Sequence, residues 1–245
     1  DTLLPVSYDE KNGIKKILEK LTLTGWKPLY DDNQQTIIAL KKGKEAITLE
    51  PGGQIELSGA PLDNIHETCE ETTNHLRELK KLGNELNFIL LGMGVEPNLG
   101  LDDFPWMPKQ RYGIMKKYMK KVGTLGHHMM KRTCTNQVNI DYSSEEDMVE
   151  KFRIMLNLEA IATAMFSNSP FDQGKISKYK SLRSHFWHNT DADRTGLLPF
   201  VFEKDFNFEN YANYALNVPM YFINRENKYI DMTQYTFKDY LEGKA

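Results

Sequence analysis

Apolar residues recur at helical spacing in residues 8–23, where Ile14, Ile17, Leu18 and Leu21 fall on one face and Gly25 closes the segment. The period then shortens. Residues 36–40 and 45–50 read as strands joined by a turn at 41–44 that contains Gly43. Pro51-Gly52-Gly53 breaks the chain, and 54–58 resumes the alternation, with Ile55 and Leu57 opposite Gln54, Glu56 and Ser58. A long helix is predicted over 62–82, capped by Asp63 or Asn64. The continuous apolar run 88–93 reads as a buried strand, and 97–108 as irregular.

Further along, 111–122 predicts a helix, Gly123-Thr124-Leu125-Gly126 interrupts it, and a further turn covers 127–130. Residues 132–142 alternate again, with Val138 and Ile140 opposing Gln137, Asn139 and Asp141. Ser143 with Glu146 and Ser144 with Asp147 have capping-box spacing and start a helix running to about Phe166. Residues 167–180 read as loop, 208–216 as helix, and 219–224 and 228–232 as strands joined by a turn at 225–228. Strands joined by tight turns pair antiparallel. The class is α+β, a mainly antiparallel sheet with flanking helices.

With 245 residues, 40% of them hydrophobic, the chain can bury a substantial core. A formal net charge of −3 gives no global basic field for nucleic acid. No apolar run approaches the roughly 20 residues of a membrane span, so no membrane association is expected. The start, Asp1-Thr2-Leu3-Leu4-Pro5, shows no basic region leading into an apolar stretch, so no signal peptide is expected there; it also lacks an initiator Met, a hint that the gene starts earlier. Cys69 and Cys134 are too few for a disulfide framework and are expected to be two buried free thiols in a reducing compartment.

Candidate chemistry lies on the polar faces. Glu50 stands just before the glycine-rich bend and Glu56 on the strand after it. Carboxylates on a sheet face suit Mg²⁺, which takes oxygen ligands and keeps waters and phosphates, although a solvated sheet face explains them as well. Gln137, Asn139 and Asp141 form a polar row able to hydrogen-bond an amino acid or a nucleotide, or else an exposed strand face. Ser181-Leu182-Arg183-Ser184-His185-Phe186-Trp187 offers a guanidinium for a carboxylate or phosphate beside aromatic walls, and Lys109-Gln110-Arg111-Tyr112-Gly113 follows the same logic. His127 and His128 point about 100° apart on a helix, and no zinc spacing, G-x-S-x-G or P-loop is present.

The ordered succession LEPGGQIELSGAPL, LGMGVEP, MPKQRYGIMKKYM, VGTLGHHMMKRTCTNQVNIDYSSEEDM, SLRSHFWHNTDADRTGLLPFVF and YALNVPMYFINRENKYIDMT closely resembles the plant and proteobacterial glutamate–cysteine ligases, over roughly residues 41–244. The resemblance implies a curved antiparallel sheet with flanking helices, of the glutamine synthetase-like ligase type. It implies that ATP phosphorylates the γ-carboxylate of L-glutamate and that the amine of L-cysteine attacks the γ-glutamyl phosphate, with Mg²⁺ as cofactor. By this resemblance Glu56 and Glu50 are metal ligands, Arg183 and Arg111 the catalytic cations, and Gln54, Tyr112, Gln137, Asn139 and Tyr221 line the substrate or nucleotide site.

The family also carries an acidic E-x-E strand motif for which nothing before Lys41 is a convincing match, and it continues past the equivalent of Ala245. The resemblance therefore implies that residues 1–245 are the central part of a single catalytic domain truncated at both ends, weakly active or inactive alone. Cys69 matches a cysteine of a plant-member disulfide, while Met232 stands where plants carry Cys, which argues against the plant bridge and for a bacterial source. A cytoplasmic location follows, or a plastid in a plant. A γ-glutamyl ligase with another amine acceptor, a non-catalytic ligand-binding remnant, and a structural protein on the same scaffold stay open as alternatives.

Overall fold

The computed structural model describes residues 3–31, 35–226 and 228–244. The chain forms two compact units, Asp1–Gly92 with Leu99–Gly113 and Met130–Arg132, and Met93–Asn98 with Ile114–Met129 and Thr133–Ala245.

In the first unit, α1 (Ile14–Thr22) buries Ile14, Ile17, Leu18 and Leu21, the face its sequence period selects. It packs on the first two strands of an antiparallel meander, β1 (Lys27–Tyr30), β2 (Ile37–Lys42), β3 (Glu45–Leu49) and β4 (Ile55–Ser58), ordered β1-β2-β3-β4. Gly43 has φ +60° in the β2–β3 turn, where Lys42 pairs with Glu45, as a two-residue hairpin requires. Leu40, Ile47 and Leu49 are fully buried. On the opposite face Thr48 pairs with Glu56, and Glu50, two residues on, shares that face.

Helix α2 (Ile65–Leu86) is capped by Asn64, whose Oδ1 accepts from the His66 and Glu67 amides at 3.0 and 3.1 Å. It ends at Asn87 in the left-handed region, φ 59°, whose N–H reaches the Gly83 carbonyl. Its buried residues begin only at His75, so the second half of the helix carries the packing.

Helices α3 (Gln110–Val122) and α4 (Gly126–Arg132) contribute residues to both units. The second unit continues with α5 (Glu145–Met165), a short hairpin of β5 (Phe171–Asp172) and β6 (Lys175–Ile176), α6 (Leu182–His188), a 3-10 turn (Pro199–Phe202), α7 (Phe208–Asn217), the hairpin β7 (Phe222–Arg225) and β8 (Lys228–Asp231), and α8 (Phe237–Leu241). Of the two capping spacings before α5 the helix uses the second: Ser144 Oγ accepts from the Asp147 amide at 3.2 Å. Small cores form where Val95 meets Leu182 and Phe186, and where Met148 meets Val201 and Phe206.

Residues 88–93 are not a strand: Ile89 is 64% exposed and no ladder forms on them among the described residues. Nor do residues 132–142 form one. An isolated bridge joins Val95 to Thr133, the Cys134 amide reaches the Gly94 carbonyl at 3.3 Å, and pairing stops there, with Val138 80% exposed. Alternation selects a face, but a strand exists only where another backbone takes its hydrogen bonds. Among the described residues the sheet structure is thus one four-stranded meander and two hairpins, α+β and antiparallel as expected. Strand β1, helices α6 and α8 and the β5–β6 hairpin were not anticipated, and Asn227, in the expected 225–228 turn, lies outside the described residues.

Both cysteines are free, but Cys69 is exposed rather than buried, because it sits on the unpacked half of α2. Among the described residues no helix is long and apolar enough to cross a membrane.

Leu18→Ala is expected to cost about 2–5 kcal/mol by cavity formation, and Asn64→Ala about 1 kcal/mol by loss of the cap. Urea unfolding of the two variants checks this; a smaller loss at Leu18 than at Asn64 would remove α1 as the anchor of the sheet.

Candidate functional site

The glycine-rich bend is built by close backbone approach. A Cβ on Gly52 would lie 2.2 Å from the Lys131 carbonyl oxygen, so only glycine fits. Gly53 has φ +94° and its amide reaches the Glu50 carbonyl at 3.0 Å. The Met107 amide donates to the Pro51 carbonyl at 3.0 Å. Gln54 closes the arrangement: its Oε1 accepts from the Gly52 amide at 2.9 Å and its Nε2 donates to the Met130 carbonyl at 3.2 Å. The structure therefore uses Gln54 to hold backbone together.

This bend sets Glu50 and Glu56 against the start of α3. The Gln110 amide donates to Asp31, a buried carboxylate, at 3.0 Å. Tyr112 is buried and its hydroxyl donates to the Leu49 carbonyl at 2.7 Å, tying α3 to β3. Over the Tyr112 ring lie Lys109 Nζ at 5.3 Å and Arg111 Cζ at 5.5 Å. Thr48 donates its hydroxyl to Glu50 at 3.3 Å.

Burial pushes the Glu50 carboxyl above its usual range, and Glu56 adds to this, while Lys109, Arg111 and the Thr48 hydroxyl oppose it. Burial lowers Lys109 to about 8, with Arg111 adding to the effect and Glu50, Asp31 and Glu56 resisting it. Burial, then Glu50, raise the Tyr112 phenol. The cluster brings two carboxylates of one sheet face near two cations at the start of α3.

Two carboxylates on one face suit a divalent cation completed by phosphates and water. Among the described residues no group of three acidic, histidine or cysteine side chains could cage an ion without such help.

In the second unit a cleft of about 390 Å³ is lined by Glu159, Thr163, Arg183, Trp187, His188 and Arg194, among others. Ser181 caps α6 and the Ser169 hydroxyl accepts from the Arg183 amide at 3.2 Å, fixing the base of that side chain. The guanidinium lies 5.3 Å from the Trp187 ring. Arg183 Nε and Trp187 Nε1 are both buried without a hydrogen-bond partner, a cost that an acceptor oxygen in the cleft would remove.

Tyr221 stands just before β7 under Arg194, whose Cζ is 4.1 Å from the ring, with Tyr118 edge-on at 5.2 Å. Arg194 donates to Asp191 at 2.7 Å, to the Tyr118 hydroxyl at 3.1 Å and to the Pro219 carbonyl. The Asp191 side chain is fully buried. Burial raises the Tyr221 phenol to about 12, with Arg194 opposing, so it is a donor at neutral pH.

Of the sequence candidates, Glu50, Glu56, Arg111 and Tyr112 come together in the first unit, and Arg183 lines the cleft of the second with Tyr221 linked to it through Arg194. Gln137 and Asn139 are exposed and bond each other at 3.1 Å. The sequence reading missed Arg194 and Asp191, although an acidic and a basic residue three apart mark a possible pair; it also left Lys109 unweighed within its own motif.

Lys109 gives a pH test. Its folded pKa is depressed, so between about pH 8 and the unfolded value the unfolded chain binds the extra proton and stability rises with pH. Thermal unfolding from pH 8 to pH 10 is expected to show this rise, and Lys109→Met to lack it; equal slopes would contradict it. Arg194→Met is expected to cost about 3–5 kcal/mol by leaving Asp191 buried and unpaired, and the added Asp191→Asn to recover part of the loss. Denaturant titration checks both, and no recovery would place the cost elsewhere.

A family model described as glutamate-cysteine ligase family 2 (GCS2) matches residues 1–242. Glutamate–cysteine ligase B, chloroplastic, of Oryza sativa subsp. japonica is 53% identical over 245 residues, which is 100% of this chain and 48% of that protein. The chloroplastic glutamate–cysteine ligase of Arabidopsis thaliana is 52% identical over 248 residues, covering 100% of this chain and 46% of its own. That of Brassica juncea is 51% identical over 245 residues, covering 100% and 47%. The chain spans about half the length of the curated relatives it matches. With a family match across nearly all of its residues, the chain belongs to glutamate-cysteine ligase family 2.

Proposed function

We propose that these residues are the central part of a single catalytic domain, of the glutamine synthetase-like ligase fold, in an ATP-dependent glutamate–cysteine ligase. The reaction joins the γ-carboxylate of L-glutamate to the amine of L-cysteine through a γ-glutamyl phosphate, the first step of glutathione synthesis. The observation that carries the reading is the gathering of Glu50 and Glu56, two carboxylates of one sheet face, near Lys109 and Arg111, which lie over the ring of Tyr112 while its hydroxyl bonds the Leu49 carbonyl, in a chain of this family.

Phosphoryl transfer leaves little covalent work to the protein; it needs positioning and charge stabilisation. Glu50 and Glu56 would hold Mg²⁺, which when bound supplies charge neutralisation on the ATP phosphates. Arg111, braced on the Tyr112 ring, offers a guanidinium to phosphoryl oxygens, and Lys109 adds a second cation at neutral pH. In the cleft, the open donors of Arg183 and Trp187 fit a carboxylate of the amino-acid substrate, with Tyr221 held as a hydroxyl donor. Gln137 and Asn139, exposed and extended, remain proposed contacts for substrate or nucleotide. Two acidic ligands alone give an incomplete metal site, so the 245 residues by themselves are expected to turn over slowly.

The test is Mg²⁺-dependent ADP release from ATP with glutamate plus cysteine, on the protein at the length of its relatives and on the 245 residues alone. Glu56→Gln is expected to lower kcat at least about 100-fold. Arg183→Met is expected to raise KM for glutamate about 10- to 100-fold, as loss of a charged hydrogen bond predicts. Turnover only with a different amine would keep the mechanism and replace cysteine as acceptor; silence with every acceptor would overturn the ligase reading.

A further inference from the structure

Helix α5 is apolar on two opposite sides, and only one of them is packed. Val149, Phe152 and Leu156 pack against the Met148, Val201 and Phe206 core. At about 100° per residue, Ile154, Leu158, Ile161 and Met165 share an arc of about 60° on the other side, centred about 180° away. These four are between 44% and 72% exposed. Between Ile154 and Phe166 the helix carries a single charged residue, Glu159. A surface helix keeps charges on its outer side, whereas a helix apolar all round is an interior helix. An open groove of about 450 Å³ beside it is of mixed character, with Val149, Ile154 and Phe206 alongside Glu146, Glu150 and Arg153.

We infer that the outer face of α5 is the inner surface of a further packing layer, supplied by the part of the longer protein that lies outside these residues. The length supports this occupant: the chain spans about half of the relatives it matches. The composition supports it too. Thirteen residues with one charge suit a permanently buried seam, not a surface that is free part of the time, which keeps a polar, wettable character. A sheltered face of this kind joins the two parts of one chain, and α5 then lies between two layers as an interior helix does.

The experiment places a thiol on the face, Ile161→Cys in a Cys69→Ser background, since Cys69 is itself exposed. Maleimide labelling is followed in the 245 residues and in the protein extended to the length of its relatives. Labelling at position 161 is expected to be at least about tenfold slower in the longer protein, at every protein concentration. Equal rates in the two would overturn the inference. Protection in the 245 residues that grows with concentration would overturn it in favour of a second copy. As an independent measurement, Leu158→Glu with Ile161→Glu is expected to lower the thermal midpoint of the longer protein and leave that of the 245 residues unchanged; an unchanged midpoint in both would count against the buried layer.

Discussion

The backbone of Gly52 runs so close to that of Lys131 that no side chain can stand between them. This single approach decides much of the first unit. It brings the bend after β3 against residues 130–132, and the Pro51 carbonyl then receives Met107. With Met107 placed, Lys109 and Arg111 follow at fixed reach, and Tyr112 can close its bond to Leu49. Gln54 ties the bend to residues 130–132, bonding Gly52 and Met130 with one amide. The charged cluster is therefore a consequence of backbone packing: its carboxylates and cations come near each other because Gly52 lets the chain beneath it approach.

The two clusters handle buried charge in opposite ways. Arg194 is held on many sides: a buried carboxylate, a hydroxyl and a carbonyl take three of its donors, and its guanidinium lies over the Tyr221 ring with the Tyr118 ring next to it. Such a cation is a fixed strut, and its fork geometry is what a lysine could not reproduce. Arg183 is the reverse, with Nε buried and unsatisfied beside an equally unsatisfied indole N–H. Lys109 falls between them, deep among mixed charges and held toward neutrality. A cation bonded to several neighbours organises its surroundings, whereas an unsatisfied buried donor retains the capacity to bind.

What was legible in the sequence was whatever depends on neighbours along the chain. The Ile14, Ile17, Leu18, Leu21 stripe, the Gly43 hairpin and the start of α5 follow from period, turn chemistry and capping, all local. Residues 88–93 and 132–142 show where such reasoning ends, because a strand needs a partner backbone and periodicity does not name one. Strand β1 escaped notice for a related reason: four residues including Pro28 hardly display a period. In the site, residue types pointed to the carboxylates and Arg183, but the occupation of Gln54 by backbone and the Asp191–Arg194 strut arise from folding geometry.

Helix α2 adds a different consequence. Its Asn64 cap and first turns stand clear of the core, and burial starts only at His75. Local bonds hold that first half, among them the Glu71 carboxylate accepting the Ala60 amide at 2.8 Å. One helix is thereby divided into an outer segment held by local bonds and an inner segment packed into the core. The Cys69 thiol rides on the outer segment, so oxidants and electrophiles reach it without any unfolding of the core, and its chemical fate is set by the medium around the protein more than by the fold within.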